Sequence, residues 1–160
     1  MYQTWFECKV KYQKIDEDGR ERQVTENFLL DGISFTDAET RMTAQLQTMV
    51  KGGFSISDIK KSRIAEVFPY EAGEWWYKVT INLVTIDEDA GKEKKLRTLY
   101  LVQADDIQEA LTRIGESLSF LIVPYVVSAI NVSLIADVFP YVPGQVFPGQ
   151  LKPFATPDAI

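Results

Sequence analysis

The feature that most constrains this chain is an internal repetition at a constant spacing. Three segments return 71 residues later: Trp5-Phe6 as Trp76-Tyr77, the turn 15–18 as 86–89, and 64–70 (IAEVFPY) as 135–141 (IADVFPY). The residues 28–41 return at a spacing of 72, because the second copy carries one extra residue near Gly91, and a deletion before Tyr125 restores the spacing of 71. Self-similarity at a fixed period is typical of a repeated supersecondary unit, so we predict a tandem duplication.

Within each copy, the pattern predicts two strands, a helix and a closing strand. Apolar and polar side chains alternate from Phe6 to Tyr12, which is the period of a half-buried strand. A turn at Gly19 leads into the return strand, since glycine readily takes the positive φ that tight turns require. The same pattern recurs from Tyr77 through a turn at Gly91.

Capping residues and prolines mark the remaining elements. Ser34 with Asp37, and Asp106 with Glu109, are spaced as N-cap and N3 pairs that begin helices. The closing strands are predicted at about 54–68 and 125–139. Each leads into the Pro of a Phe-Pro-Tyr sequence, which cannot donate to a sheet ladder and so ends or edges the strand. A ligand-contacting role for the two Phe-Pro-Tyr sequences is the alternative.

These elements define a fold class. We expect an α+β protein in which a duplicated ββαβ unit packs as one pseudo-two-fold domain, with antiparallel sheet or sheets and two helices. The domain would span 1–141, with repeats at 4–70 and 75–141, and a Pro/Gly-rich tail would follow at 142–160. Joint packing is expected because a unit of this size buries only a small core alone.

The residue types exclude most catalytic chemistry. The chain has no histidine and one cysteine, Cys8, which excludes structural zinc, iron–sulfur and cysteine–histidine sites. No phosphate-loop, dinucleotide or nucleophile-elbow motif occurs. The acidic turns 16–18 and 87–89 could hold a divalent cation, but solvated hairpin tips are the simpler interpretation. We therefore predict a protein that is not an enzyme, with no catalytic residues, no metal and no cofactor.

Charge and hydropathy bound the partners and the location. A net charge of −6 argues against nucleic acid, because that binding depends on neutralising phosphates with Lys and Arg. No apolar run is long enough to span a bilayer, and the amino terminus lacks the layout of a secretory signal. We expect no membrane partner, a cytoplasmic location, and either a protein partner or a homo-oligomer.

Divergence between the copies points to an interaction surface. In the second closing strand every other residue from 130 to 138 is apolar, which predicts one continuous apolar face. The residues matched to Val132 and Leu134 in the first copy are Lys61 and Arg63. An exposed apolar patch marks a binding site. The candidate residues are Val132 and Leu134 on the strand, with Phe147 and Phe154 in the tail.

Two coverings of this surface, and a second function, stay open at this point. The tail could dock on its own chain or on a partner, and a second copy of the protein could cover the surface instead. Aromatic residues support a different hypothesis, in which a pocket between the two repeats binds a small ligand. That pocket would be walled by Trp5, Trp75, Trp76 and Tyr77.

The runs 5–12 (WFECKVKY), 28–39 (FLLDGISFTDAE), 59–61 (IKK) and 100–104 (YLVQA) resemble a family of small proteins from gut anaerobic bacteria and their tailed phages. That family is known as a domain of unknown function, and the resemblance covers about residues 4 to 140. It implies a bacterial or phage origin and the cytoplasm of a bacterial host cell, and it brings no activity or catalytic residue. Together these observations predict a non-enzymatic binding or assembly module.

Overall fold

A computed structural model describes residues 4–141 of the chain, with eight strands and two helices among them. In chain order the elements are β1 (Thr4–Ile15), β2 (Glu21–Gly32), α1 (Phe35–Met49), β3 (Phe54–Lys61), β4 (Ile64–Phe68), β5 (Trp75–Asp87), β6 (Lys92–Ala104), α2 (Ile107–Ser117), β7 (Tyr125–Val132) and β8 (Ile135–Phe139). The predicted α+β class is confirmed. Neither helix is long and apolar enough for a bilayer crossing.

The strands form two four-stranded sheets, and the described chain divides into two compact units. The first sheet has the order β3-β1-β2-β8, and the second has the order β4-β6-β5-β7. The first unit comprises residues 4–62 and 137–141, and the second comprises residues 63–136. These units differ from the predicted repeats 4–70 and 75–141. The prediction that the repeats pack as one domain is untested and stays a prediction.

The predicted closing strands 54–68 and 125–139 are wrong as single strands. Each breaks in two, at 62–63 and at 133–134. Strand β3 lies at an edge of the first sheet, while the next strand, β4, lies at an edge of the second. Strand β7 stays in the second sheet, and β8 joins the first. The all-antiparallel expectation also fails, because β4 pairs with β6 in parallel.

The hairpins and helix starts follow the sequence prediction closely. Gly19 and Gly91 take positive φ angles of 81° and 63° in the two hairpin turns. The Ser34 hydroxyl accepts a hydrogen bond from the Asp37 amide at 3.0 Å, which satisfies one of the unpaired amides of the first helical turn. Asp106 caps α2 in the same way, by accepting from the Glu109 amide at 2.7 Å.

Each unit has its own hydrophobic core between one helix and one sheet. In the first unit, Met42 and Leu46 of α1 pack with the alternating residues Phe6, Cys8 and Val10 of β1. In the second unit, the core is built from the corresponding elements, and its members include Ala110, Ile114, Leu118, Tyr77, Val79 and Ile81. The three- and four-residue spacing of apolar residues predicts a buried stripe on each helix that includes Phe35 on α1 and both Ile107 and Leu111 on α2, but all three residues are about half exposed.

A bulge occurs at the same place in both edge strands. The pairing of β1 with β3 skips Ser57, whose hydroxyl donates to the carbonyl oxygen of Lys9 at 3.2 Å. The pairing of β5 with β7 skips Ser128, whose hydroxyl donates to the carbonyl oxygen of Thr80 at 3.2 Å. The common bulge lets positions on β3 and β7 be compared one by one, at the spacing of 71 that the sequence shows.

Candidate functional site

A groove runs between helix α1 and edge strand β3 in the first unit. It has a volume of about 310 Å³ and is lined by Phe35, Thr36 and Glu39 from the helix and by residues 56–59 from the strand. Phe35 packs edge-on against Phe6, with ring centroids 5.1 Å apart. The Lys61 ammonium lies 5.9 Å from the Phe35 ring centroid, so a cation shields the exposed aromatic ring at this position.

The equivalent positions of the second unit carry apolar side chains. Helix α2 packs against β7 as α1 packs against β3. Glu39 is matched by Leu111, which is 49% exposed, and Lys61 is matched by Val132, which is 54% exposed. Phe35 is matched by Ile107, which is 55% exposed. The first unit therefore presents charge along this groove, and the second presents hydrocarbon to water.

The exposed hydrocarbon continues at both ends of β7. Leu134, which follows the strand, is 85% exposed and stands where the first unit has Arg63. Ile122, which precedes the strand, is 97% exposed, and Phe120 nearby is also exposed. Val126, on β7 itself, is exposed where the first unit has Ser55. An exposed apolar set of this kind marks a contact surface more often than isolated apolar residues do.

The single apolar face predicted from 130 to 138 does not exist as one surface. Ile130 packs against the core of the second unit, whereas Val138 lies on β8 of the first sheet and is buried. The break after Val132 separates the two halves of the pattern. The candidate residues Val132 and Leu134 are exposed, and their role as an interaction surface stays a prediction. Phe147 and Phe154 lie outside the described residues.

The four aromatic residues predicted to wall a ligand pocket have different surroundings. Trp76 and Tyr77 are buried, at 6% and 7% exposure, and Tyr77 belongs to the core of the second unit. Trp75 is exposed and Trp5, in the first unit, is half-buried. Tyr77 therefore has a packing role in its own unit. A ligand pocket between the repeats stays a prediction.

Sequence reasoning missed an arginine–tyrosine contact in the second unit. The Arg113 guanidinium lies 4.7 Å from the centroid of the Tyr70 ring and donates to the carbonyl oxygen of Gln103 at 2.9 Å. The Tyr70 amide donates to the Gln103 side-chain oxygen at 3.0 Å, and the Tyr70 hydroxyl lies 2.8 Å from the Ser117 hydroxyl. These contacts fix the chain directly after β4 against helix α2 and the end of β6.

The first unit holds an equivalent contact around Tyr141. The Arg41 guanidinium lies 5.2 Å from the Tyr141 ring centroid and donates to the Asp31 carbonyl oxygen. The Tyr141 amide donates to an Asp31 carboxylate oxygen at 2.7 Å. The Tyr of each Phe-Pro-Tyr sequence is therefore an anchor as well as the residue after a strand end. The joint recurrence of Arg41 as Arg113 and of Tyr70 as Tyr141 was the signal in the sequence.

Burial raises the pKa of three side chains in the described part of the chain, Cys8, Tyr12 and Tyr100. Burial, with a smaller effect of Glu7 and Asp58, raises the pKa of the Cys8 thiol to about 12, which keeps it in the unreactive protonated form. Burial and the hydrogen bond to Glu26 raise the pKa of Tyr12 to about 12. Within residues 4–141, no group of three or more Cys, Asp or Glu side chains is placed to hold a metal ion.

Comparisons with known proteins give a family and no function. No curated protein matches the sequence, and no solved structure matches the fold. The pattern of one family, described as a domain of unknown function (DUF4494), matches residues 4–141. That range coincides with the described residues and includes both units, so the chain belongs to the DUF4494 family.

Proposed function

We propose that the protein is a non-enzymatic binding or assembly module, and that its contact surface lies on the second unit. We call this the α2–β7 surface and define it by Ile107, Leu111, Val132 and Leu134. The observation that carries the proposal is the difference in chemistry between matched positions. Three of these four residues stand where the first unit has Glu39, Lys61 and Arg63.

We infer that the two units arose by tandem duplication. Several independent features support it: the constant sequence spacing, the recurring strand lengths of β3 and β7, the bulges at Ser57 and Ser128, and the two arginine–tyrosine contacts. If both copies began with one sequence, the first unit shows which side chains this fold tolerates in water. Exposed hydrocarbon in the second copy is then not required by the fold.

The energetic cost of this surface supports a role in contact with another protein. An apolar side chain gains roughly 1.5–3 kcal/mol when it moves from full exposure to burial. Val132 is 54% exposed and Leu134 is 85% exposed, so about half of this gain for Val132 and most of it for Leu134 is not realised in the described chain. A partner that covers the surface would recover it. The proposed setting, the cytoplasm of a bacterial host or of a phage-infected cell, rests on the resemblance described above.

The test is site-specific photo-crosslinking in bacterial cells. A benzoyl-phenylalanine side chain is placed at Leu134, and the control carries it at Arg63, the matched exposed position of the first unit. We expect protein adducts from Leu134 and few from Arg63. Equal adduct yields at the two positions, or none at either, would contradict a contact surface on the second unit.

A variant in which the two apolar residues are replaced by cations tests whether these side chains form the contact. Val132→Lys with Leu134→Arg installs the side-chain types that the first unit carries at these positions, so the fold should tolerate them. In both this variant and the unsubstituted protein, the crosslinker is placed at the neighbouring Ser133. We expect the two proteins to have the same melting temperature, and we expect the adducts that form in the unsubstituted protein to be lost in the variant. If the adducts persist at full yield, the two apolar side chains do not form the contact.

A further inference from the structure

Strand β7 is an edge strand without a single charged residue. Its sequence, YVVSAINV, pairs with β5 on one side only. The backbone groups of its other side are therefore open to pairing in the second sheet. A long edge strand without charged residues is a type that natural proteins avoid, because it can recruit a further strand.

The other three sheet edges in the described chain are protected. Strand β3, the counterpart of β7, carries Asp58, Lys60 and Lys61 in the sequence FSISDIKK. The edge strands β4 and β8 each have five residues and each contain an acidic residue, Glu66 or Asp137. Short length and charge are two devices that block edge-to-edge association. Strand β7 shares the bulge of β3 and has neither of the other two protections.

We propose that β7 pairs antiparallel with β7 of a second copy of this chain. This inference rests on the proposed binding role and names its partner. A two-fold axis places the central residue of a strand opposite itself, so a charge there would face an equal charge at a cost in stability. Since Ser128 bulges out of the ladder, the regular positions of β7 are centred on Ala129. Its counterpart in the first unit is Asp58, and β3 would place two carboxylates together.

Self-pairing about Ala129 also aligns apolar residues, of which Tyr125, Val127 and Ile130 pack against the core of their own unit and Val132 is exposed. Tyr125 of one copy lies opposite Val132 of the other, and Val127 lies opposite Ile130. Two residues beyond the strand ends, Val123 of one copy lies near Leu134 of the other, and both are exposed in the single chain. The apolar residues before and after β7 are therefore complementary to each other across the axis.

The flanking residues are needed because strand pairing alone gives a small interface. A standard stable interface buries roughly 800 Å² on each partner, which two eight-residue strands do not supply by themselves. Residues on both sides of β7 add to the area, and the most exposed of them are Phe120, Ile122 and Leu134. A second copy offers the same exposed hydrocarbon at both ends of the strand at once.

A single cysteine at the axis tests the pairing directly. Cys8 is fully buried, so Ala129→Cys presents one accessible thiol in residues 4–141. Oxidation with copper–phenanthroline should convert this variant to a disulfide-linked species of twice the 18.2 kDa chain mass. The control, Asp58→Cys, places a thiol at the matched position of β3. We expect it to remain monomeric under conditions that link the Ala129→Cys variant.

Native mass spectrometry of the unmodified protein and of Ala129→Lys completes the test. We expect a dimer for the unmodified protein and loss of the dimer for the variant, which carries a charge where the first unit also carries one. A monomer in the unmodified protein, or equal disulfide yields from the two cysteine variants, would overturn the pairing. If crosslinks at Leu134 then join a different protein, the binding role survives and only the second copy is excluded.

Discussion

Replacing Arg113 by alanine measures how strongly the arginine–tyrosine contact holds the second unit together. The guanidinium side chain is 16% exposed and donates to the Gln103 carbonyl oxygen at 2.9 Å, and a hydrogen bond to a charged group contributes about 1.5–3 kcal/mol. Contact with the Tyr70 ring adds roughly 0.5–2 kcal/mol. The ion pair with Glu109 spans one helical turn and is partly exposed, so it adds only about 0.3–0.5 kcal/mol.

These contributions share one side chain and do not add fully, so we expect a loss of about 3 kcal/mol in the free energy of unfolding. For a chain of this size, each kcal/mol lowers the melting temperature by roughly 2–4 °C. Arg113→Ala should therefore lower it by roughly 6–12 °C in differential scanning calorimetry. Arg97→Ala, which removes an exposed arginine from β6, is the control and should change little.

A double-mutant cycle separates the ring contact from the rest. Arg113→Ala, Tyr70→Ala and the double variant are unfolded by urea, and the coupling energy between the two side chains is calculated. We expect a coupling of at least about 0.5 kcal/mol, because residues in direct contact are not additive. A coupling of zero within error would refute the claim that Arg113 anchors Tyr70.

Three further predictions concern single residues. Gly73→Ala should lower the free energy of unfolding, measured by chemical denaturation, by about 1–3 kcal/mol, because the alanine Cβ would lie 2.6 Å from the backbone nitrogen of Ala104. In the control Gly52→Ala the new Cβ meets nothing within 4 Å, so stability should be unchanged or slightly increased. Cys8 should resist iodoacetamide at pH 8 in the native protein and react fully in urea, since burial raises its thiol pKa to about 12. Burial raises the pKa of Tyr12 from 10 to about 12, so its protonated hydroxyl contributes to stability below pH 10 and this contribution is lost as the pH rises towards 12. In Tyr12→Phe, the free energy of unfolding should therefore fall less steeply between pH 10 and pH 12.

Local elements could be predicted from the sequence because short-range chemistry determines them. The hairpin turn at Gly19 needs a residue that takes positive φ, and the helix start at Ser34 needs a side-chain acceptor. Both requirements are met within a few residues of chain. The buried alternation of Phe6, Cys8 and Val10 follows in the same way from the two-residue period of a strand that packs on a helix.

The partners of the closing strands could not be predicted, because they depend on the tertiary structure. The apolar alternation of 130–138 continues through the break at 133–134, so periodicity alone reads one strand where there are two. The pattern also cannot show that a bulge at Ser128 resets which residues face the core. As a result, Ile130 and Val138 were assigned to one face although they belong to different sheets.

The candidate surface was only partly accessible to sequence reasoning. Comparison of the two copies identified Val132 and Leu134, since a charged counterpart is visible without a structure. Leu111 and Ile107 were missed, because both fit an amphipathic helix stripe and were interpreted as buried. A helix residue that faces the core and one at the rim of a groove differ in direction by only about one third of a turn about the helix axis, and sequence periodicity does not resolve so small an angle.

The place of β8 in the first sheet has a consequence for how the chain is made. Its neighbour β2 ends at Gly32, and the bond from the Tyr141 amide to Asp31 joins residues 110 positions apart. A ribosome adds roughly 5–20 residues per second, so β2 remains without its neighbour β8 for several seconds during synthesis. Contacts this distant along the chain also slow folding in general. The first unit to be synthesised is therefore expected to be the last to be completed.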